Sequence, residues 1–542
     1  MTESFRIDFQ PIGRRGAVRP GQTLLDAAQA AGVGLASVCG GVGNCEECRL
    51  RLITGTLSAP TLIEEAALGN AALDAGWRLA CQAEPLSDVR LHIPPESLTA
   101  AQRLQTEGQE VTLELDPVIH TPEAYGLAVD VGTTKLAAYL VKLETGETVA
   151  KSAAMNPQIA YGEDVISRIA YAIREAEGAK RLQAVLVDSL NGLVRELCLS
   201  ARVAPEKVLD AVVVGNTAMH HLLAGLPVEQ LGRAPYAPAT TDPVNIPASS
   251  LGLVLGEGAH VYLPPVIAGW VGADHLAMLL ATGLMESDDS SRRIPPKSGD
   301  FGLHQADRKI IALDIGTNTE IALLANGQVT SCSCASGPAF EGAHIKEGMR
   351  AAPGAIERAR WNEGKILWQT IEGEPPVGIC GSGILDVIAS LLDGGLVKPN
   401  GALTAGGQYP LVPALQTGLG RDLVVTRKDI HEIQLAKAAI RAGSEVLLAN
   451  AGLKADDLNG FIVAGAFGTY LDLRSAVRVG MFPSLPMEKF DQVGNAAGVG
   501  ARIMLVSQTK RRQAEELAKQ LGYVELATNK MFMGMFMQYL GF

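Results

Sequence analysis

The chain has 542 residues, too many for one hydrophobic core, and its apolar fraction of 47% marks it as globular rather than disordered. A formal net charge of −12, with no basic run longer than Lys510-Arg511-Arg512, argues against nucleic acid or an anionic membrane as the main partner. Eight cysteines in so long a chain do not make a disulfide framework, and MTESFRIDFQ lacks the apolar core of a signal peptide, so a reducing, cytoplasmic setting is expected.

FRIDFQPIGRRGAV predicts strand, turn and second strand. The helix that follows starts near Thr23, which can cap it; Asp26 sits in its first turn and Gly32 ends it. Next comes CGGVGNCEEC, then the alternating strand RLRLITG, WRLACQA and a closing strand VRLHIP. Cys39, Cys45, Cys48 and Cys81 form the pattern C-x5-C-x2-C-x32-C. Structural zinc sites usually pair two short cysteine knuckles, and here only Cys45 and Cys48 form one. Three ligands on one loop closed by a distant fourth suit a [2Fe–2S] cluster better. Gly40, Gly41 and Gly43 let the loop turn tightly and aim amides at the sulfurs. Residues 3 to 95 resemble the adrenodoxin-like branch of the β-grasp [2Fe–2S] ferredoxins.

The segment from Pro94 is more polar and reads as a linker with a short helix and one strand. GLAVDVGTTKLAAYLV follows, and about 184 residues further on IIALDIGTNTEIALL repeats its design. In each, an apolar strand ends at an Asp, a Gly-Thr turn follows and a second strand returns. Glycine permits close backbone approach, threonine hydroxyls and turn amides can surround phosphate oxygens, and the Asp can hold Mg²⁺ through its waters. No P-loop and no strand–GxGxxG–helix dinucleotide site is present.

The doubled hairpin resembles the actin/Hsp70/sugar-kinase (ASKHA) superfamily, in which two RNase H-like halves with mixed five-stranded sheets clasp ATP. The resemblance implies a first phosphate loop of Asp130, Gly132, Thr133, Thr134 and Lys135, and a second of Asp314, Gly316, Thr317, Asn318 and Thr319, with the two aspartates catalytic. FIVAGAFGTYLDL resembles the adenosine motif, with Gly465, Ala466 and Gly468 under the nucleoside. VVVGNTAMHHLL and GNAAGVGARIML fall where the two connecting helices would be. Gly381, Ser382 and Gly383 present helix amides to a phosphate or simply start a helix against the sheet. Glu341 reads as a solvated or capping carboxylate, with a position facing the nucleotide cleft as the alternative. Cys198, Cys332, Cys334 and Cys380 read as small core residues. His220 and His221, adjacent on a helix, are expected to point apart and to hold no metal. KMFMGMFMQYLGF reads as a final core or docking segment.

The whole layout resembles the reductive activators of corrinoid proteins, through DVGTT, DIGTN, CGSGILD and AGAFGT behind a ferredoxin domain. The expected organisation is an α+β β-grasp domain (1–95), a linker (96–125), a first RNase H-like half (126–290), a loop (291–308) and a second half (309–542). The resemblance implies an ATP-hydrolysing iron–sulfur oxidoreductase that uses a [2Fe–2S] cluster, ATP and Mg²⁺. It would return an inactive Co(II) corrinoid protein of a methyltransferase or demethylase system to Co(I), drawing on an external low-potential electron donor; a homodimer is left open. The absence of further C-terminal cysteine clusters favours the branch with one cluster. A small-molecule kinase, or a nucleotide-binding redox sensor, with a regulatory iron–sulfur domain is the alternative.

Overall fold

The computed structural model describes residues 4–35, 43, 48–94, 97, 115–162, 164–284, 307–342, 344–404 and 406–542. The expected cluster ligands Cys39 and Cys45, the glycines 40 and 41, more than half of the linker and most of the 291–308 loop lie outside them.

At the N-terminus β1 (Phe5–Gln10), β2 (Arg14–Val18), β3 (Arg49–Thr54), β4 (Trp77–Leu79) and β5 (Val89–His92) form one mixed sheet in the order β2-β1-β5-β3-β4, with β1 and β5 parallel. Alternating Ile7, Phe9, Leu50, Leu79 and Leu91 bury one face against the helix Leu24–Ala30. Thr23 and Asp26 close that helix's N-terminus with a reciprocal capping box, as the sequence suggests.

The body contains two further sheets. In the first, β6 (Tyr125–Val131), β7 (Lys135–Lys142) and β8 (Thr148–Met155) form an antiparallel meander, and β9 (Val208–Gly215) and β11 (His260–Leu263) continue it in parallel on the other side of β6. The second repeats the plan with β12 (Ile310–Ile315), β13 (Thr319–Ala325) and β14 (Gln328–Cys334), continued by β20 (Gly460–Ala464) and β21 (Phe490–Gly494). Each sheet therefore has the expected five-stranded RNase H-like core. It has six strands in all, because a short edge strand is added: β10 (Val244–Pro247) beside β11, and β22 (Gly522–Tyr523) beside β14. Between β14 and β20 a small subdomain is inserted, with β15 (Ala355–Asn362), β16 (Lys365–Thr370), β17 (Gly378–Ile379), β18 (Gln408–Val412) and β19 (Leu423–Thr426).

Strand periodicity sorts the side chains between three cores. Leu127, Val129 and Val131 of β6 point to the outer core of the first half, and Ile311, Leu313 and Ile315 of β12 to that of the second. Ala128, Ala312, Ala322 and Leu324, on the opposite faces, enter a core shared by both sheets. The helices Ala273–Ala281 and Ala496–Val506 cross within that shared core. A Cβ on Gly500 would lie 2.1 Å from the Ala277 carbonyl oxygen, so only glycine permits the crossing. This corrects one expectation. The helix in VVVGNTAMHHLL, Thr217–Ala224, packs on the outer core of the first half; the crossing partner of Ala496–Val506 comes from GADHLAMLLA instead. Leu222, Leu223, Ala218 and Met219 make the earlier helix an outer-core element by their positions.

The Met/Phe-rich C-terminus folds back as the helix Phe532–Gln538, whose Phe532, Met535 and Phe536 pack on the second half's core. Among the described residues, no helix is long and apolar enough to cross a membrane.

The Gly500 contact generates a stability test. Gly500→Ala is expected to cost about 2 kcal/mol in thermal unfolding, since the added methyl meets backbone that cannot yield. Gly534→Ala, with nothing within 4 Å of its Cβ, is the helical control and should be neutral or slightly stabilising.

Candidate functional site

The period-2 register places Asp130, Asp314 and Glu320 on the inner faces of the two sheets, where they line one cleft between the halves. Asp314 and Glu320 are direct cross-strand partners, a like-charged pair that a sheet ordinarily avoids. In the first half the equivalent partner of Asp130 is Ala137. Asp274, from the start of the crossing helix, lines the same cleft. Burial is the main force on all four, pushing Asp130 up to about 6 and Asp274 to about 7, with Asp130 adding repulsion to Asp274. Asp314 and Glu320 are pushed well above the carboxylate range by burial and by their acidic neighbours. Asn495 donates to Asp130 Oδ2 at 3.0 Å and, through its own oxygen, caps the second crossing helix at the Gly498 amide (2.8 Å).

The hairpin turns stand at the mouth. Gly132 is held from behind by Asn156, which donates to its carbonyl at 2.9 Å. Thr133 is held twice: Asn216 Nδ2 donates to its hydroxyl (2.9 Å) and buried Arg168 to its carbonyl. The turns are thus pre-shaped, leaving the Thr134 and Thr317 hydroxyls facing each other at 3.2 Å. Lys135 lines the cleft half-buried, its pKa lowered chiefly by desolvation. Gly465 has φ +90°, and a Cβ there would lie 2.6 Å from Asp314 Oδ1 and 2.7 Å from the Ile315 carbonyl oxygen. Phe340 and Phe467 stack beside it at 4.8 Å between centroids, and with Tyr470 they give this end of the cleft an aromatic wall.

Of the residues expected to bind nucleotide, the cleft gathers Asp130, Gly132, Thr133, Thr134, Lys135, Asp314, Gly316, Thr317, Asn318, Gly381, Ser382 and Gly465. Thr319, Gly383 and Gly468 do not line it. Thr319 is buried behind the turn with its hydroxyl 2.9 Å from that of Ser336. A Cβ on Gly383 would lie 2.0 Å from the Ile356 carbonyl oxygen, and one on Gly468 would lie 2.9 Å from Val463, so these glycines serve packing. Ala466 lies in the short helix Ala466–Tyr470.

Asn216, Asn495, Asp274 and Glu320 are among the cleft residues that the sequence reading missed. Asn216 and Asn495 carry a signal, since Gly-Asn-Thr-Ala at 215–218 and Gly-Asn-Ala-Ala at 494–497 repeat one strand-to-helix step. Asp274 and Glu320 carry none, being single acidic residues in segments that have no acidic counterpart in the other half. For Glu341 the solvated or capping reading is corrected in favour of its alternative: the turn Pro338–Glu341 delivers the carboxylate to the cleft, between the two hairpins. His220 and His221 are also corrected. Their Nδ1 atoms are 3.2 Å apart, because both rings are enclosed and the Ala239 amide donates to His221 Nε2, turning that ring inward. Burial lowers both, to about 3 and about 4. Cys198, Cys332, Cys334 and Cys380 are buried as expected, and Cys380 also lines the cleft.

In the N-terminal domain Cys48 and Cys81 come together, each buried and within hydrogen-bonding contact of the other. The Ala80 amide donates to the Cys48 carbonyl at 3.0 Å, fixing the two ligand segments to each other. Gln82 Nε2 approaches the Cys81 sulfur at 3.6 Å. Gly43 has φ +91°, and a Cβ there would lie 2.7 Å from Ile63 Cγ2, so the described part of the loop requires glycine. This buried pair fits half of the expected ligand set.

Fold and site define a ferredoxin-type domain joined to an ASKHA-type two-sheet clasp. The comparisons agree in order along the chain. Residues 7–86 match the 2Fe-2S iron-sulfur cluster binding domain, 125–287 the RACo middle region, and 308–542 the C-terminal domain of RACo, the ASKHA domain. The corrinoid activation enzyme RamQ of Eubacterium limosum is 32% identical over 432 residues, covering 76% of this chain and 69% of that protein. The [Co(II) methylated amine-specific corrinoid protein] reductase of Methanosarcina barkeri is 27% identical over 444 residues, covering 75% of each. A solved structure of a reductive activator for corrinoid, iron-sulfur protein superposes with a TM-score of 0.68 at 29% identity, covering 99% of this chain and 98% of that one. The chain belongs to the RACo family of corrinoid-activating enzymes.

The carboxylates generate a pH test. Each holds its proton in the fold at a pH where the unfolded chain has lost it, so stability falls as pH rises from the ordinary 3.8 through about 6 and 7. Thermal unfolding without divalent cation should therefore give a midpoint that drops across that window. At pH 8, Asp130→Asn is expected to restore about 2 kcal/mol.

Proposed function

We propose that the chain binds ATP with Mg²⁺ in the cleft and uses it to drive one-electron reduction of a corrinoid protein. The electron passes from the [2Fe–2S] domain to an inactive Co(II) corrinoid of a methyltransferase or demethylase system, which becomes the methyl-accepting Co(I) form. An external low-potential donor refills the cluster, and the setting is the cytoplasm. The observation that carries this reading is the conjunction in one chain of the paired Cys48 and Cys81 with a cleft flanked by two Asp-Gly-Thr hairpins.

The residues present suit both groups. Asp130, Asp274, Asp314 and Glu320 are driven toward neutrality by burial and mutual repulsion, a cost that a divalent cation would offset. No three of the described acidic, histidine or cysteine residues converge on one ion, which suits Mg²⁺ held through its own waters. Thr134 and Thr317, with the turn amides, offer donors to phosphate oxygens, and Lys135 offers charge. The Gly465 bend and the Phe340–Phe467 wall suit a nucleoside. When bound, the cluster supplies a one-electron carrier at roughly −400 mV if it behaves as a plant-type centre. The protein's task is to hold that carrier by Cys39, Cys45, Cys48 and Cys81, and to bias the partner complex so that transfer is downhill.

The decisive assay mixes reduced protein with a Co(II) corrinoid protein and follows Co(I) optically with and without Mg-ATP; equal yields without ATP would overturn the mechanism. Cys81→Ser is expected to abolish the [2Fe–2S] spectrum while ATP hydrolysis persists. Asp314→Ala is expected to lower ATP hydrolysis by about a hundredfold with the spectrum intact; unchanged turnover would remove that aspartate from the chemistry.

A further inference from the structure

The Glu341 carboxylate bridges the two hairpins. It accepts from the Thr134 hydroxyl at 2.8 and 2.7 Å and from the Thr317 hydroxyl at 2.5 Å. Two hydroxyls converging on one anionic oxygen pair are the donor set that a terminal phosphate also requires, so Glu341 and a phosphate compete for the same two protons. Behind the carboxylate, Arg350 Nη2 lies 3.6 Å from Glu341 Oε2.

The same guanidinium reaches the ferredoxin domain. Arg350 Nη1 donates to Gln10 Oε1 at 3.4 Å, at the end of β1. A Cβ on Gly13, which has φ +75°, would lie 3.5 Å from that nitrogen, so the turn between β1 and β2 rests on Arg350. Arg14 extends the contact by donating to the Gly348 carbonyl at 3.4 Å and to that of Val377. Gly32 closes the seam, with a Cβ there 2.9 Å from Leu419 Cδ2. One cation therefore touches the hairpin bridge on one side and the ferredoxin turn on the other.

We propose that Glu341 and Arg350 form a phosphate relay that reports nucleotide binding to the ferredoxin domain; this rests on the cleft being an ATP site. The terminal phosphate takes the Thr134 and Thr317 hydroxyls from Glu341, and Arg350 turns to the new charge. A guanidinium prefers a multiply charged phosphate to a neutral amide oxygen, because charge-assisted bonds are about twice as strong as neutral ones. Its bond to Gln10 is given up, and the turn Gln10–Arg14 loosens from the body. The domain that carries the electron is thereby released when nucleotide is bound and retained when it is not. Arg350 is a positioning residue in this scheme, since it acts on the electron carrier through Gln10.

The test is hydrogen exchange on the full chain with its cluster, with and without a non-hydrolysable Mg-ATP analogue whose binding is measured separately by calorimetry. In the wild type the analogue is expected to speed exchange about tenfold in the peptide covering Gln10–Arg14. Arg350→Met should bind the analogue, more weakly, without that response. Glu341→Gln should bind it about fivefold more tightly, because the competing charge is gone. Gln10→Leu should exchange fast without nucleotide and gain little with it, and it carries the test if Arg350→Met loses the cluster spectrum. A full nucleotide response in Arg350→Met or Gln10→Leu overturns the relay, as does a wild type that binds the analogue with no change at the turn. A wild type that binds no nucleotide overturns the ATP reading itself, a different result.

Discussion

Mutual repulsion among Asp130, Asp274, Asp314 and Glu320 is the constraint around which the body is built. Glu320 is buried and the other three are half-buried in the cleft, and Asp314 and Glu320 are paired across a hairpin. Such a cluster persists only where the surrounding packing holds it in place. That packing is the shared core, in which Ala273–Ala281 and Ala496–Val506 cross at Gly500 and Ala277. The first of these helices supplies Asp274, and the residue capping the second, Asn495, touches Asp130. The helices that join the halves are therefore also the helices that fix the acidic groups. A change in charge within the cleft acts directly on the element about which the halves would move.

The two sheets and the cleft were legible because a repeat was present. DVGTT and DIGTN each impose strand, turn and strand, and their period-2 alternation already places both aspartates on one face. Local chemistry was equally readable in the N-terminal domain, where Thr23 and Asp26 cap the helix and the cysteine spacing selects the cluster. Asp274 and Glu320 were not legible, and Glu341 only as one of two alternatives, because their role depends on where distant segments meet rather than on a neighbouring motif. The misassigned connecting helix has the same cause. GNTAMHHLL and GADHLAMLLA are both strand-to-helix steps rich in small residues, and only the close approach of Gly500 to Ala277 distinguishes them. The histidine pair shows the limit of helix geometry applied without context, since an external amide at Ala239 determines the ring orientation.

Asymmetry between the halves follows from the same repeat. Glu320 stands where the first half has Ala137, so negative charge is concentrated beside the second hairpin. Lys135 belongs to the first hairpin, and Arg168, from the helix Val165–Arg174, braces its Thr133. The cleft therefore holds acidic and basic groups together, which suits a polyanion and its cation better than a neutral ligand. The inserted strands β15 to β17 sit between β14 and β20, where they hold the loop from Glu347 to Arg350 against the ferredoxin seam; the Met349 amide bonds to the Ile379 carbonyl at 3.0 Å.

The insertion explains why an electron carrier and a nucleotide clasp gain from being one chain. A tethered domain already has a high effective concentration at its partner, so fusion alone would make electron delivery unconditional. A seam built from Arg14 and Arg350 makes it conditional, because the ferredoxin turn rests on the arginine that also approaches the hairpin bridge. Arg350 is close to both. Its contacts of 3.4 Å to Gln10 and 3.6 Å to Glu341 are longer than the 2.7–2.9 Å of a committed charge-assisted bond. The bonds that fix the hairpins, from Asn156 and Asn216 at 2.9 Å, are at full strength. Rigid phosphate loops beside a cation shared between the bridge and the ferredoxin turn are what a switch needs, since the loops must be ready for the ligand and the cation must lie within reach of both.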